Sequence, residues 1–329
     1  MFFSVIIPTY NPKKYLPRLL VSIAHNDCAN DIEVIISDDC STEFFDEILE
    51  TFNMLDIKKI VNEKHMGFPR TGRQRGADIA QGKWIYFSDQ DDYFLEHAFD
   101  KAKEYIETQN VSNCFVSDFI MESAETGERT IYEGYKGWTH GKFFEKRFWD
   151  KYELCYDEVD YCEDINLTTK VGCIMTYERL SYPILKEPLC VWYRRNDSLC
   201  CDDYFIHSMG DYVRGSMGVI IDYVEKSKDD EELYGIFSMK FINTIYHIFF
   251  YLQNHMLYGN AEALKETLDA TRLYYERFKE ITGLTTDAII LLTYTNWLPS
   301  YNEIRAGDCK QLPFVEHESF ANWMNKNLP

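Results

Sequence analysis

The sequence lacks several features that mark well-known classes of protein. Its ten cysteines form no CxxC pair and follow no regular spacing, which argues against a zinc cluster or a secreted disulfide framework. No run of about 18 uninterrupted apolar residues occurs, so no transmembrane helix is predicted. No basic segment precedes the first apolar run, which therefore predicts a strand and not a signal peptide. We expect a protein of the reducing cytoplasm.

Positive charge is also scarce. The chain carries 34 Lys and Arg against 54 Asp and Glu, a formal net charge of −20. Nucleic acids and anionic membrane surfaces bind basic patches, so neither is predicted as a direct partner. A local basic cluster can still bind an anionic ligand, and peripheral membrane contact through one patch stays open.

The first part of the chain alternates strand-like and helix-like segments. With 329 residues, 46% of them hydrophobic, the chain can form a catalytic domain and an appendage. The alternation favours α/β architecture with a parallel, doubly wound sheet. The predicted strands cover 2–7, 32–37, 57–61, 83–87 and 114–121, and the predicted helices cover 13–25, 43–52, 70–81 and 94–107.

Polar clusters follow three of these strands. The stretch KWIYFSDQDD (83–92) ends in Asp89, Asp91 and Asp92, while PTYN (8–11) and SDDCS (37–41) end two other strands. Ligands of open α/β sheets bind at the carboxyl ends of the strands, so we expect the clusters to share one edge. Carboxylates there suit Mg²⁺ or Mn²⁺ carrying phosphates. Aspartates that only end strands or cap helices are the alternative.

The alternation ends in the second half of the chain. CEDINL (162–167) predicts a helix start, where an acid is electrostatically favoured. Strand-like pieces at 182–185 and 189–193 lead to a cationic turn. Helical patterns then take over, at 241–252 and 261–281. We therefore predict a catalytic domain over 1–204 and a helical C-terminal region over 205–329.

Four ordered motifs, SVIIPTYN, VIISDDCS, GFPRTGRQRGADIAQGKWIYFSDQDD and CEDINL, resemble those of family 2 glycosyltransferases. The resemblance covers about residues 3–200 and is to inverting, nucleotide-sugar-dependent enzymes of bacterial cell-surface glycan synthesis. It implies a GT-A, Rossmann-like, mostly parallel twisted sheet flanked by helices, with a C-terminal helical extension. The nucleotide-sugar half would cover about 1–110 and the acceptor half about 111–204.

The same resemblance assigns the nucleotide pocket. Pro8, Thr9 and Tyr10 would line it, with Tyr10 packing against the base. Asp39 would accept a hydrogen bond from the N3–H of the base, which favours uracil or thymine, and Arg73 would help to hold the pocket. A packing role for Tyr10 and a helix-capping role for Asp39 are the alternatives.

The resemblance also assigns the chemistry. Asp89 and Asp91 would form the DxD pair that binds Mn²⁺ or Mg²⁺, with Asp91 as the direct ligand and Asp89 nearer the ribose. Asp164 would be the general base of a single displacement, and Glu163 either replaces it or stabilises the first helical turn.

Two further stretches resemble segments found in a subset of the family. HGKFFEKRF implies an acceptor-side role for His140 and Lys142, although either residue can be structural. WYRRNDSL implies contacts of Arg194, Arg195 and Ser198 with the donor diphosphate, because guanidinium groups match phosphate oxygens. A solvated turn is the alternative.

Three positions depart from the family pattern: Cys40 replaces Gly, Gly72 replaces Ala and Gln74 replaces Asn. These departures affect the detailed contacts with the nucleotide-sugar donor more than the reaction itself. The transmembrane helices and QxxRW-type motif of the polymer-forming branches are absent from this sequence.

The sequence therefore predicts the transfer of one sugar from a UDP-sugar to a hydroxyl of a cell-surface glycan, such as capsule, lipopolysaccharide, teichoic polymer or glycoprotein. The acceptor would be a glycan or a lipid-linked glycan, and the protein would form a homo-oligomer through its C-terminal helices. Two alternatives stand: an inactive transferase-like binding module, and a sugar-1-phosphate nucleotidyltransferase. The glycine-rich loop typical of the latter is missing after the first strand.

Overall fold

A computed structural model describes residues 1–156, 159, 162–197, 209–254, 261–295 and 317–328. The chain forms two compact units, described separately below. The first contains Met1–Asp160 and Ser181–Ser198, and the second Tyr161–Leu180 and Leu199–Pro329. The predicted boundary at residue 204 thus differs from this division, because a helix that precedes it groups with the C-terminal helices. The functional division into donor and acceptor halves stays a prediction.

The first unit is an α/β structure with nine strands and five α-helices among its described residues. The strands are β1 (Phe3–Thr9), β2 (Ile32–Asp38), β3 (Asp56–Val61), β4 (Trp84–Phe87), β5 (Tyr93–Phe94), β6 (Cys114–Ser123), β7 (Arg129–Tyr132), β8 (Lys142–Glu145) and β9 (Ile184–Arg194). The helices are α1 (Leu16–Ala24), α2 (Asp46–Thr51), α3 (Pro69–Ile79), α4 (Ala98–Thr108) and α5 (Lys146–Lys151).

One mixed sheet joins the strands in the order β3-β2-β1-β4-β8-β6-β9-β5, with β7 added beside β6. The β3-β2-β1-β4 part is parallel, as predicted. Beyond it, β8 runs antiparallel to both β4 and β6. The predicted α/β fold is confirmed, and β5, β7 and β8 are strands that the sequence did not indicate.

Helix α3 lies unusually close to the sheet. A Cβ added to Gly76 would stand 2.3 Å from Cγ2 of Ile6 on β1, and one added to Gly72 would stand 3.1 Å from Cβ of Pro8. Two small residues one helical turn apart let the helix backbone approach the strand. This approach brings Arg73, on the same helix, to the carboxyl edge of the sheet.

The strand β9 corrects one expectation. Two short strands, 182–185 and 189–193, were predicted, but β9 is continuous and pairs in parallel with β6. The register shifts near Ser117 and Asp118. Such a bulge lets the strand continue past Pro188, which cannot donate a ladder hydrogen bond.

The described part of the second unit is helical. Its helices are α6 (Glu163–Tyr177), α7 (Gly218–Lys226), α8 (Glu231–Asn254), α9 (Ala261–Thr282), α10 (286–295) and α11 (His317–Asn327), and a π-helical turn, Val213–Met217, precedes α7. Their shared core includes Cys173 from α6 together with Ile221, Phe241 and Phe278. Within the residues described, no helix is both long and apolar enough to cross a membrane.

Candidate functional site

The predicted convergence of three strand ends is confirmed in the first unit. Thr9 pairs with Asp38 at the ends of β1 and β2, and the N–H of Asp39 donates to the Thr9 carbonyl at 2.8 Å. Gln90, in the turn after β4, makes two hydrogen bonds to the main chain of Tyr10. Its Oε1 accepts the Tyr10 N–H at 2.9 Å and its Nε2 donates to the Tyr10 carbonyl at 3.0 Å. All three polar clusters therefore meet at one edge.

Asp39 is buried and its carboxylate is surrounded by donors. Oδ1 accepts from Nδ2 of Asn62 at 2.6 Å and from the N–H of Met66 at 2.9 Å. Oδ2 accepts the N–H of Gly67 at 2.9 Å and lies 2.9 Å from Nδ1 of His65. Since a carboxylate oxygen has two lone pairs, a nucleobase N–H would have to replace one of these protein donors.

An aromatic pair lies beside Asp39. The rings of Tyr10 and His65 stack with centroids 4.2 Å apart, and Tyr10 remains 38% exposed, so part of the residue is accessible to a ligand. The hydroxyl of Thr9 is buried with no hydrogen-bond partner among the described residues. The sequence prediction missed His65. The sequence feature that came nearest to indicating a role for His65 was its position just before the motif that begins at Gly67.

Each acid of the turn 89–92 faces one basic side chain. The pairs are Arg73 Nη2 with Asp89 Oδ1 at 2.6 Å, Arg195 Nε with Asp91 Oδ2 at 2.6 Å, and His140 Nε2 with Asp92 Oδ2 at 3.3 Å. Arg195 and His140 come from chain segments far from the turn. A ligand cation that binds these acids must therefore compete with the protein's own side chains.

Burial and mutual repulsion separate the pKa values of the three acids. Burial, with the charges of Asp92 and Asp89, raises the pKa of Asp91 to about 6, although Arg195 acts in the opposite direction. Burial also raises the pKa of Asp92. Burial opposes ionisation of Asp89 too, yet the charge of Arg73 brings its pKa below the usual value. The turn thus concentrates acids that a multivalent cation would stabilise in ionised form.

Asp89, Asp92 and His140 could hold a metal ion. One ligand atom from each lies within 4.8 Å of the others. Carboxylate oxygens with one imidazole nitrogen form a donor set that divalent cations accept. Asp92 and His140 are additions to the motif-based set of Asp89 and Asp91.

Arg18 on α1 is a further residue that the sequence prediction missed. Its Nη2 donates to the main-chain carbonyl of Asp91 at 2.6 Å. Its guanidinium lies 4.4 Å from the ring centroid of Tyr93 and 4.1 Å from that of Tyr193. This arrangement fixes the backbone of the acid turn through cation–π and hydrogen-bond contacts. A single arginine within an amphipathic helix gave no signal of such a role.

The acceptor-side role expected for Lys142 stays a prediction, with a structural role as its alternative. The residue is fully buried on β8, and its ammonium donates to the carbonyls of Tyr135 at 3.0 Å and Trp138. A buried ammonium needs such partners, so its position favours a structural role. Arg194, at the end of β9, is exposed. Ser198 lies outside the described residues.

The predicted base lies in the second unit. Glu163 and Asp164 occupy the first turn of α6, where the helix dipole favours negative charge. Glu163 is 5% exposed and Asp164 is half-buried. Asp164 Oδ1 accepts the N–H of Ile165 at 2.8 Å. The more accessible Asp164 is the better candidate of the two for contact with a substrate.

The departures from the family pattern have local explanations. Cys40 has φ of 59°, a left-handed conformation that glycine adopts most easily, and its thiol donates to the Asn62 carbonyl at 2.9 Å. Gly72 provides the close approach of α3 to the sheet. Gln74 accepts the N–H of Tyr156 at 3.0 Å and so ties α3 to the segment after α5.

Comparisons with known proteins agree with this geometry. Residues 4–162 match Glycosyl transferase family 2. The poly(ribitol-phosphate) beta-N-acetylglucosaminyltransferase TarS of Staphylococcus aureus (strain Mu50) is 38% identical over 109 residues, 32% of this chain and 19% of TarS. A GalNAc(5)-diNAcBac-PP-undecaprenol beta-1,3-glucosyltransferase of Campylobacter jejuni is 33% identical over 97 residues, 29% of this chain and 31% of that protein.

The solved structures extend the likeness to both units. The crystal structure of S. aureus TarS 1-349 in complex with UDP-GlcNAc has a TM-score of 0.67 and 20% identity, and the match covers 96% of this chain and 95% of that one. The chain spans well under half the length of the curated relatives above. The family match and this fold together show that residues 4–162 belong to glycosyl transferase family 2, within a chain of GT-A fold with a helical C-terminal part.

Proposed function

We propose that the chain is an inverting glycosyltransferase that moves a single sugar from a UDP-sugar to a hydroxyl of a bacterial cell-surface glycan. The observation that carries this proposal is the edge where Asp39, Tyr10 and the acid turn 89–92 meet inside a family 2 domain. The named relatives act on such glycans: one is a poly(ribitol-phosphate) transferase and another acts on an undecaprenol-linked glycan. Capsule, lipopolysaccharide, teichoic polymer and glycoprotein are the acceptor classes considered.

Recognition of the nucleotide would use the edge between β1 and β2. The exposed part of Tyr10 offers a surface for the base, and Asp39 offers a carboxylate that accepts a uracil N3–H. The buried Thr9 hydroxyl and the adjacent Pro8 would line the same pocket. UDP is preferred over dTDP in this proposal because a related fold binds UDP-GlcNAc.

The diphosphate would bind at the acid turn together with Mn²⁺ or Mg²⁺. Asp89 would hold the cation with Asp91, as the motif predicts, or with Asp92 and His140, since one ligand atom from each of these three residues lies within 4.8 Å of the others. The cation supplies Lewis-acid stabilisation of the leaving diphosphate. Arg195 and Arg73, when released from their acids, would donate to phosphate oxygens. Arg194 and Ser198 are further candidates for these contacts.

Transfer itself needs a base on the face opposite the diphosphate. We assign Asp164 to this role, with Glu163 as a first-turn acid that stabilises α6. Removal of the acceptor proton by Asp164 would accompany attack of the acceptor oxygen on the anomeric carbon, while the bond from that carbon to the diphosphate oxygen breaks and UDP leaves, in one inverting step. The predicted cytoplasmic location, peripheral membrane contact and homo-oligomer stay predictions.

Donor hydrolysis and UDP binding test the proposal. The full chain, incubated with a panel of UDP- and dTDP-sugars, should release the nucleotide from at least one UDP-sugar only when Mn²⁺ or Mg²⁺ is present. Calorimetry should show UDP binding that Mn²⁺ strengthens. Asp39→Asn should weaken UDP binding by about tenfold, the loss of roughly one charge-assisted hydrogen bond, whereas the exposed Asp229→Asn should not.

Three results would contradict parts of this proposal. Absence of UDP binding would exclude a UDP-sugar transferase. Equal UDP affinity with and without metal would exclude the metal assignment. UDP binding with no turnover of any donor, with or without glycan acceptors, would favour the inactive binding module.

A further inference from the structure

The helices of the second unit line a cavity of about 630 Å³. Its wall includes Thr169 of α6, Tyr212 just before the π-helical turn, and Lys240 and Asn243 of α8. We propose that this cavity binds the acceptor, and that the acceptor is an anionic glycan, a chain of sugar or polyol units that carry phosphate or carboxylate groups. This inference rests on the proposed function and adds to it a site and a chemical class for the acceptor.

The cavity has the size and the mixed lining that a carbohydrate requires. Its volume lies within the range of about 300–1,000 Å³ that is typical of ligand sites. Ile236 and Met239 provide apolar surface, while Thr169 and Asn243 add polar groups. A sugar or polyol chain uses both kinds of surface, because each unit presents C–H groups as well as hydroxyls.

Asn243 brings an unpaired hydrogen-bond acceptor to this wall. Its Oδ1 is buried and has no hydrogen-bond partner among the described residues. An unpaired amide oxygen that is shielded from water costs free energy. The side chain as a whole is only partly buried, so rotation about its Cβ–Cγ bond turns this oxygen towards the cavity. A ligand hydroxyl that donates to it would then remove the cost.

The charge of the lining contrasts with that of the chain. The chain carries 54 Asp and Glu against 34 Lys and Arg. Among the described residues that line the cavity, however, there is no Asp or Glu, whereas Lys240 and His247 are both present. A basic lining in an acidic protein concentrates positive potential at one place. The cavity therefore favours an anionic ligand over a neutral one.

Lys240 is the residue that would pair with the anion. Other basic residues of the unit, such as Arg179 and Arg277, each pair with two carboxylates. Lys240 makes no ion pair within the part of the chain that the structure describes, and its ammonium donates to the thiol of Cys173. Because a thiol is a weak acceptor and an ammonium has three donors, a phosphate or carboxylate oxygen would be a better partner.

Helix α6 connects the cavity to the proposed base. Asp164 lies in the first turn of α6. Thr169 lies about 7.5 Å further along the helix axis, at a rise of about 1.5 Å per residue. A short glycan that fills the cavity can therefore extend along one helix to Asp164.

The π-helical turn holds one wall of the cavity against α6. Asn166 of α6 is fully buried; its Nδ2 donates to the carbonyl of Asp211 at 3.4 Å, and its Oδ1 accepts the hydroxyl of Ser216 at 3.3 Å. A Cβ added to Gly215 would overlap the Asn166 amide, so the wide turn Val213–Met217 and its glycine make room for it. Such turns occur frequently at functional sites, and this one joins the cavity wall to the helix of the proposed base.

Calorimetry with short glycans tests the inference. The full chain, without donor, is titrated with a tetramer of ribitol phosphate, a tetramer of galacturonate and the neutral maltotetraose. We expect at least one anionic tetramer to bind at least about tenfold more tightly than maltotetraose, because a hydrogen bond between charged groups contributes about that much. The preference between the two anionic tetramers identifies phosphate or carboxylate as the charged group.

A lysine substitution tests the charge. Lys240→Gln should weaken binding of the anionic tetramer at least about tenfold. Lys228→Gln removes the same charge from an exposed position of the unit and should not weaken it. In transfer assays with the tetramer that binds, Lys240→Gln should raise the acceptor KM about tenfold and leave kcat within about twofold.

A glycine substitution tests the cavity itself. Gly235 of α8 lines the cavity, and a Cβ added to it would have no atom within 4 Å. Gly235→Trp should therefore fill the cavity and abolish tetramer binding, whereas Gly235→Ala should retain it. Neither substitution should lower the Tm, because glycine is a poor residue inside a helix. UDP affinity should be unchanged in both.

The outcomes separate this inference from the proposed function. Equal affinity for maltotetraose and the anionic tetramers would overturn the anionic class. Absence of tetramer binding, or binding that persists in Gly235→Trp, would overturn the site, and UDP binding with donor hydrolysis would leave the transferase proposal intact in either case. Absence of UDP binding would overturn the proposed function, while tetramer binding that Gly235→Trp abolishes would still support the cavity as an anionic-glycan site.

Discussion

The two compact units bury polar groups in different ways. In the described part of the first unit, several fully or nearly buried residues carry charge, and they lie in strands, in the turns beside strands or in helix α3: Glu33, Asp38, Asp39, Arg73, Asp92, Asp118, Lys142 and Glu145. In the described part of the second unit, Glu163 is the one charged residue that is buried to this degree. Its other buried polar groups are an asparagine and hydroxyls.

The hydroxyls of the second unit have a simple role. Thr267 and Thr271 donate to helix carbonyls four residues earlier, at 2.8 and 2.7 Å, which satisfies a polar group without leaving its own helix. A buried charge has no such local solution and requires a partner from another element. Among the described residues, buried charge is therefore concentrated in the first unit, and in the second unit it occurs at the start of α6.

The largest expected effect concerns the apolar core of the second unit. Phe241 is fully buried and stacks on Phe278 with ring centroids 4.3 Å apart. Phe241→Ala should lower the free energy of unfolding by about 3–5 kcal/mol, measured by denaturant titration, while UDP affinity at low temperature stays within about twofold. Leu273→Ala, on a residue that is 64% exposed, should change stability by less than about 0.5 kcal/mol.

Loss of UDP binding in a folded Phe241→Ala protein would contradict the assignment of donor binding to the first unit. A stability change as small as that of Leu273→Ala would show that Phe241 is not a core residue.

The next prediction concerns the two acidic residues at the start of α6, the place in the second unit where a charged residue is buried. Asp164→Asn removes the proposed base but keeps the size and polarity of the side chain. Transfer to the acceptor should fall by a factor on the order of a hundred, about 2.7 kcal/mol of transition-state stabilisation, with donor affinity near normal. Initial rates with saturating donor, together with calorimetry of UDP, measure both quantities.

Asp229→Asn, an exposed substitution in the same unit, is the matched control and should retain full activity. Glu163→Gln separates the two acids of the turn. Normal transfer by Asp164→Asn with a large loss in Glu163→Gln would move the base to Glu163, and normal transfer in both would leave the second unit without a catalytic acid.

The smallest effect is a pH dependence of stability in the first unit. Burial and the charges of Asp92 and Asp89 raise the pKa of Asp91 from 3.8 to about 6. The folded protein therefore holds this proton more tightly than the unfolded chain does, so the contribution of Asp91 to stability falls as the pH rises from about 4 to about 6. Without divalent cations, the Tm of Asp91→Asn relative to the wild type should rise by about 2–4 °C over this window.

Asp100 provides a control because its pKa is shifted in the direction opposite to that of Asp91. It is partly buried, which opposes ionisation, but donors from Cys28, Asp27 and His97 lower its pKa to about 2. Its stabilising contribution is complete above about pH 4 and is lost only at lower pH. The Tm difference between Asp100→Asn and the wild type should therefore be flat from about pH 4 to about pH 6, and should change only above that range, where His97, whose pKa Asp100 raises, loses its proton. A flat profile for Asp91→Asn as well would show that Asp91 ionises normally.

Much of the fold was predictable because its signals are local. The apolar runs of β1, β2 and β4 and their short connections predicted parallel pairing, and glycines at 72 and 76 sit where α3 approaches β1. The strand β8 was missed because its KFFE pattern is short and continues directly into α5. The burial of Lys142 was missed because lysine at a strand start is usually exposed.

In the site, the sequence predicted the acidic residues better than the residues that pair with them. Motif spacing selected Asp39, Asp89 and Asp91, since acids at strand ends leave a pattern in one stretch of chain. It gave no indication that His140 faces Asp92 or that Arg18 supports the Asp91 carbonyl. These partners depend on contacts across the sheet, for which the linear sequence has no periodic signal.

The sequence alone determined which strands end in acids and that these ends share one edge, because parallel strands joined by helices leave no other arrangement for their carboxyl ends. Only the tertiary structure decided which basic side chain pairs with each acid and which carboxylate stays open to a ligand. Ion pairing depends on distances of a few ångströms between side chains that are up to about a hundred residues apart, and those distances exist only once the sheet has formed.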